Sequence, residues 1–361
     1  MKKIYSPPPF QSLNMNNFHL YEEIGHGKNS TIYKGRRKFS IEYLAIKSVE
    51  KSKRSRVANE VLISQILFDS DLASPANICR AYQWHETRNH LWVISDYCAG
   101  GDLLRVLKQD ERINSESQIF SFFSNILSGL ICMHSNKIIF ADMKPGNILF
   151  TESGEIKLCG FAVSQKIDDL EQVLADPSKQ APRRGSPYYM APELFMENGF
   201  HSFASDFYAL GCVLYEMITG KTPYSHVKSF GELQRTVVRS SQVPLDNLGF
   251  SPELRNLIAR MLEKDPRQRI TWRQLLQHEW VLKMSSRNTS IPSLWFGNIA
   301  DIIEPIEDRF QQIYFSKFSN DDYYSAKSRS YSIDSITAGG SGGNNTTRSD
   351  TRRSGYTNVR E

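Results

Sequence analysis

Phe140-Ala141-Asp142-Met143-Lys144-Pro145-Gly146-Asn147-Ile148-Leu149 is the stretch on which the reading of this chain turns. It places an aspartate, a lysine two positions on and an asparagine five positions on within one short loop, ahead of an apolar end. An aspartate so placed can orient an acceptor hydroxyl and take its proton. A lysine beside it can neutralise a transferring phosphate, and an asparagine carboxamide can ligate a metal. Asp142, Lys144 and Asn147 are therefore the catalytic candidates, with Asn147 also a weak metal candidate. A charged turn before a strand is the plain alternative, and the rest of the chain argues against it.

Upstream, Ile24-Gly25-His26-Gly27-Lys28-Asn29-Ser30-Thr31-Ile32 lies between two strand-like segments. Gly25 and Gly27 allow a hairpin backbone to approach phosphates where a Cβ would obstruct. Ser30 stands at the third position of the usual glycine pattern. Because the run does not open a helix, its position argues against a dinucleotide-binding fold. Leu44-Ala45-Ile46-Lys47 then ends an apolar strand on a lysine, and Glu60 follows on a helical stripe. A lysine held by a carboxylate can grip the α- and β-phosphates of a nucleotide. Lys28 is a second candidate cation for a triphosphate, or else a solvated loop lysine.

Composition narrows the class. The 361 residues leave room for two lobes and a tail. A net charge of +5 is too mild to call for nucleic acid or a membrane surface. No apolar run reaches the roughly 18 residues of a spanning helix, so membrane insertion is not expected. Met1-Lys2-Lys3 leads into Pro7-Pro8-Pro9, so no secretory signal is expected and a cytoplasmic protein is. The five cysteines are odd in number, far apart and without a CxxC pair, which points to free thiols.

Along the chain, 1–17 reads as a flexible lead-in and 18–283 as the apolar body carrying every motif. From Met284 to the end, 284–361, a Ser/Thr/Gly-rich tail is expected to be mostly disordered. Within it, 294–318 gathers Leu294, Trp295, Phe296, Ile303, Phe310 and other apolar residues. A short helix docked on the domain's own surface is expected there, with a partner-binding helix as the alternative. Leu20 to Tyr33, Ile41 to Val49 and Trp92 to Ser95 read as strands. Helical spacing marks 57–68, 117–134, 205–219 and 251–262, with a shorter candidate at 271–280. The expectation is α+β, a small β-rich lobe with one key helix followed by a larger helical one.

With Ala191-Pro192-Glu193, Asp206 and Gly211, and Arg269 in Asp265-Pro266-Arg267-Gln268-Arg269, the whole of 18–283 resembles the eukaryotic protein kinases. Tyr33-Lys34-Gly35-Arg36, Asn89-His90-Leu91-Trp92, Gly185-Ser186-Pro187-Tyr188-Tyr189-Met190 and His201-Ser202-Phe203-Ala204-Ser205-Asp206 are similar to its Runkel and Unc-51-like kinase four subgroup. The resemblance implies a bilobal fold with an N-lobe at 18–95, a hinge at 96–101 and a C-lobe at 102–283. It implies ATP as the bound nucleotide, with Ile32, Ala45 and Leu149 sandwiching adenine. Ile24, Gly25, Gly27, Lys28 and Ser30 would cover it, and Lys47 and Glu60 would form the phosphate grip. Asp96, Tyr97 and Cys98 would form the hinge contact, Asp102 would lie near the ribose, and Ser95 would leave space behind the base. Glu193 and Arg269 would make a buried brace. A protein substrate or regulated protein partner is implied, as is a tie to microtubule arrays and cilia.

One position departs from the family pattern decisively. Gly160-Phe161-Ala162 stands where the family has Asp-Phe-Gly, so the carboxylate that holds the bridging metal is missing. By analogy with losing an oxyanion donor, that loss costs at least about 10²–10³ in rate. Asn147 alone is a poor magnesium site, so Mg²⁺ dependence is doubtful. Phe140 replaces the family's histidine and is expected to pack on Phe161. Ala141 replaces its arginine, which removes that route of control by loop phosphorylation. Three readings follow: a nucleotide-dependent pseudokinase regulator, an active serine/threonine kinase, and a cytoskeletal or ciliary adaptor acting through 294–318 or the tail.

Overall fold

The computed structural model describes residues 15–27, 29–176, 178–240, 243–245, 249–287 and 299–317. Runs of β-branched and aromatic residues broken by glycine and charge form the first lobe's strands: β1 (Phe18–Gly27), β2 (Ser30–Arg37), β3 (Tyr43–Glu50), and, after one helix, β4 (Ala81–Glu86) and β5 (His90–Asp96). All neighbours are antiparallel, in the order β1-β2-β3-β5-β4. The two strand-like segments read on either side of the glycine run are thus β1 and β2, an antiparallel hairpin turned at that run. The helix is α1 (Arg54–Phe68), and it begins three residues before the expected stripe. Its Val57 and Val61 pack on Val49, Trp84, Leu91 and Val93 of the sheet. That packing orients Glu60 toward β3.

The second lobe opens with β6 (Gly101–Asp102), α2 (Leu103–Asp110) and the long α3 (Glu116–Ser135), whose interior is buried along most of its length. Short strands β7 (Ile138–Ile139), β8 (Ile148–Phe150), β9 (Ile156–Leu158) and β10 (Gln165–Lys166) carry the loops between them. They pair as β6-β8-β9 and β7-β10. Then come α4 (Ile167–Ala175), α5 (Phe203–Thr219), α6 (Phe230–Arg239), α7 (Pro252–Met261), α8 (Trp272–Leu276), α9 (Glu279–Ser285) and α10 (Ile299–Lys317). Helix starts follow their sequence signals. Ser202 and Ser205 form a capping box on α5, Thr271 and Gln274 one on α8, and Ser251 with Pro252 begins α7. Gly220 closes α5 at φ +75°, and a Cβ there would lie 2.2 Å from the Glu111 carbonyl oxygen, so only glycine fits.

One expectation is corrected by this architecture. The stretch 271–280 is two helices, because His278 leaves the helix of α8 and caps α9, accepting from the Trp280 N–H at 3.3 Å. Past Met284, α9 runs to Ser285, and α10, within the segment 294–318 singled out in the sequence, packs on the C-lobe. Its Ile303 and Phe310 are 0% and 4% exposed, and the Phe310 ring meets Phe200 edge-on at 5.5 Å. Arg273 pairs with Glu304, and Arg309 pairs with Glu171 of α4 at 2.8 Å. The docked helix, and not the free partner-binding one, is what the described part of 294–318 forms. Leu294, Trp295 and Phe296 lie outside the described residues, as do most of the lead-in and the tail beyond 317. No described helix is long and apolar enough to cross a membrane.

Candidate functional site: the cleft between the lobes

The two lobes meet where α1 packs on the 161–163 turn, whose Phe161 ring lies against Phe140 of the 140–147 loop, and polar side chains singled out in the sequence lie on those elements. Lys47 leaves β3, and its Nζ lies 3.0 Å from Glu60 Oε2 and 3.3 Å from Oε1 on α1. Burial disfavours the Lys47 cation, but the Glu60 carboxylate outweighs it and holds the lysine above its ordinary pKa. The lysine is therefore a fixed positive charge at the cleft, not a proton donor. Register places it opposite Ile32 of β2 and Val93 of β5, under the glycine loop that ends β1.

The catalytic-loop candidates form one hydrogen-bonded cluster. Asp142 accepts from Asn147 Nδ2 at 2.9 Å on Oδ2 and from Ser186 Oγ at 2.8 Å on Oδ1, and Lys144 Nζ lies 3.1 Å from the same Oδ2. Lys144 also donates to Ser186 Oγ at 2.9 Å. Ser186 thus bridges the candidate base and the cation. Spacing could not have found it, since it lies 44 residues from Asp142 in sequence. Its only mark in the sequence was membership of the Gly185-Ser186-Pro187 run.

Beneath that cluster the loop backbone is held by Asp206 on α5. The Phe140 and Ala141 N–H groups donate to its two carboxylate oxygens at 2.8 and 2.9 Å. Ala141 sits at φ +66°, a conformation that a residue with a Cβ adopts only when its surroundings impose it. His134 completes the anchor: it accepts from Trp272 Nε1 at Nδ1 (2.9 Å) and donates from Nε2 to Asp206 at 2.9 Å. Burial pushes its pKa down despite the carboxylate, which agrees with that neutral tautomer. The Glu193–Arg269 brace is present as a bidentate pair at 2.7 and 2.9 Å, both side chains 0% exposed.

Phe140 packs on Phe161 with ring centroids 5.8 Å apart, as expected. At Gly160 the backbone is left-handed, φ +86° and ψ +40°. A Cβ built there would lie 2.8 to 2.9 Å from three atoms of the Asn147 carboxamide. Asn147 therefore fills the place of the missing side chain, and its amide nitrogen is committed to Asp142. A divalent cation does not fit this donor set: position 160 offers no ligand, and no cluster of three His, Cys, Asp or Glu that could hold a metal occurs among the described residues.

The remaining candidates fall around the same cleft with differing commitments. Ser95 Oγ donates to the Ala45 carbonyl at 3.5 Å, which joins β5 to β3. The Asp96 carboxylate is taken up by Lys157 (2.8 Å), Tyr82 (2.5 Å) and the Arg80 N–H (3.0 Å), which tie the end of β5 to β4 and β9. Asp102 caps α2, accepting from the Arg105 N–H at 2.7 Å. It pairs across β6 and β8 with Leu149, which brings those two candidates together. Cys98, two residues beyond Asp96, is half-buried. Ile24, Gly25, Gly27, Ser30 and Ile32 lie on the β1–β2 hairpin, with Ile24 42% exposed. Lys28 lies outside the described residues.

A protein kinase domain model matches residues 18–281 of the chain. The chain belongs to the protein kinase family. It is 44% identical over 272 residues to the serine/threonine-protein kinase RUNKEL of Arabidopsis thaliana, covering 75% of this chain and 19% of that protein. Against the serine/threonine-protein kinase ULK4 of Mus musculus it is 35% identical over 286 residues, 73% of this chain and 21% of that one. The serine/threonine-protein kinase ULK3 of Xenopus laevis is 32% identical over 284 residues, with 77% and 57% covered. The chain thus spans about a fifth of the length of the first two relatives. What it holds is a serine/threonine protein kinase-like domain, a family whose members use ATP and usually Mg²⁺.

Proposed function

We propose that this domain binds ATP without a divalent cation, has lost most phosphoryl transfer, and acts on a protein partner through its nucleotide-dependent conformation. The observation that carries the reading is Gly160, with the Asn147 amide turned into its place and bonded to Asp142. Phosphoryl transfer is almost wholly positioning and charge neutralisation. With the metal's principal ligand gone, the triphosphate charge falls on Lys47, which Glu60 holds ready. The glycine-loop backbone would lie over the phosphates, and Ile32, Ala45 and Leu149 would enclose the base.

ATP should raise the melting temperature in EDTA, and Lys47→Met should abolish that shift. Absence of any shift at millimolar ATP in EDTA would sink the reading. The second reading, an active serine/threonine kinase, is favoured by the intact Asp142–Ser186–Lys144 cluster. Transfer of the γ-phosphate to a basic protein in magnesium or manganese, abolished by Asp142→Asn, would establish it over the first. A cytoskeletal or ciliary adaptor role rests on the resemblance alone, and it would have to use surfaces other than Ile303 and Phe310, which α10 buries on its own lobe.

A further inference from the structure

A half-buried asparagine next to Glu60 has no part in the cluster described above. Asn59 lies on α1, and its Nδ2 is 3.1 Å from the Phe161 carbonyl, 3.4 Å from that of Ala162 and 2.9 Å from that of Ser164. Three carbonyl oxygens converge there because 161–163 makes one tight turn and Ser164 follows it back. An NH₂ group has two hydrogens, so it serves this cluster through shared bonds, and no other side-chain donor to these three oxygens occurs among the described residues. The turn is also tied inward: Ser164 Oγ donates to the Phe140 carbonyl at 2.9 Å, and the Phe140 N–H donates to Asp206. A continuous run of hydrogen bonds therefore joins α1 to α5 through the segment that begins at Gly160.

We infer that Asn59 is the positioning residue of this site: it clamps α1 to the 161–164 backbone and so sets the Glu60–Lys47 pair, at the segment where no side chain at 160 is available to hold it. Adjacent residues on a helix point about 100° apart, so one turn of α1 can grip the segment with Asn59 and the lysine with Glu60. The contact is made without a phosphate, which accords with Ala141 standing where an arginine would read one. The inference rests on the nucleotide-binding reading for its effect on affinity, but the clamp itself is measurable without nucleotide.

Asn59→Asp replaces the donor by an isosteric acceptor. Its carboxylate faces three carbonyls in a half-buried place, which raises its pKa, so that near pH 8 it is charged and as pH falls toward 5.5 a growing protonated fraction can donate to one of them. In the full chain with EDTA, a fluorescent ATP analogue should bind about tenfold more weakly to Asn59→Asp than to wild type at the higher pH, with the ratio narrowing as pH falls. Asn59→Ala, which adds no charge, should weaken binding with no such pH trend in the ratio. In a Glu60→Gln background the Asn59→Asp effect should shrink to less than about twofold, since the relay is already cut. Full additivity in that background would overturn the positioning role. Separately, amide exchange of the 161–166 peptide should accelerate in Asn59→Asp near pH 8 without nucleotide. Unchanged exchange there overturns the clamp even if nucleotide binding holds, whereas failure of wild type to bind ATP overturns only the function proposed above.

Discussion

Restoring the lost carboxylate by Gly160→Asp tests the site at its weakest point. The substitution meets two obstacles in the apo protein. A non-glycine residue at φ +86° costs about 1 kcal/mol, somewhat less for aspartate than for most. Its Cβ would lie under 3.0 Å from three atoms of Asn147, so the carboxamide must swing away. That breaks two hydrogen bonds to Asp142, at 2.8 and 2.9 Å, each worth about 1 kcal/mol net. The sum is a destabilisation of about 2–4 kcal/mol in EDTA, or a fall of about 5–15 °C in melting temperature for a domain of this size. The same rearrangement leaves the Asn147 carboxamide and the introduced carboxylate side by side as oxygen ligands. Magnesium with ATP should then return much of the lost stability, and γ-phosphate transfer should rise by at least about 10² over wild type. Thermal unfolding in EDTA and in magnesium, with and without ATP, reads the stability changes, and a transfer assay reads the rate. An unchanged melting temperature in EDTA would refute the occupancy of that space by Asn147, and no gain from magnesium would refute the metal-ligand account of the loss.

Other outcomes follow from individual contacts. Burial in the α10 interface pushes Glu307 up to about 7. Its folded pKa lies above its unfolded value, so its contribution is fully present at pH below about 4.5 and is lost as pH rises toward about 7, by up to about 3 kcal/mol. Hydrogen exchange of 302–313 should therefore quicken over that window, and Glu307→Gln should remove the trend; a flat profile in wild type would contradict it. Arg269→Met leaves Glu193 buried without its partner and should destabilise by about 3–5 kcal/mol. Adding Glu193→Leu should recover much of that, and denaturant titration showing the double variant no better than the single would count against the pair. The small Ser95 should admit adenine nucleotides with bulky N6 groups, and Ser95→Phe should exclude them; equal affinities would show that other side chains fill the space.

The sequence and the fold informed each other unevenly. Gly160, Lys47, Glu60 and the Asp142–Asn147 loop were legible because each carries its chemistry in residue type and short spacing. Helices were legible by apolar spacing but their starts less so: α5 begins at Phe203, where the Ser202 cap sets it, and α1 at Arg54, both ahead of the expected stripe. The break at His278 was not, since its cap competes with a helical pattern that spacing alone continues. Nothing local announced that the Asp96 carboxylate takes three donors from other elements, since they come from β4, β9 and the Arg80 backbone. The docking of α10 was open between two partners, and the chain's own C-lobe proved to be the one its apolar face covers.

By itself the sequence determined the kinase family, the division into lobes and the absence of a carboxylate at 160, all properties of which residues occur and in what order. Only the tertiary structure decided that Asn147 takes up the space at Gly160, that Ser186 links Asp142 to Lys144, and that Asn59 clasps the segment in between. Each of these joins residues distant in sequence, and their meeting depends on how α1, α5 and the 140–147 loop pack together, which no local pattern encodes.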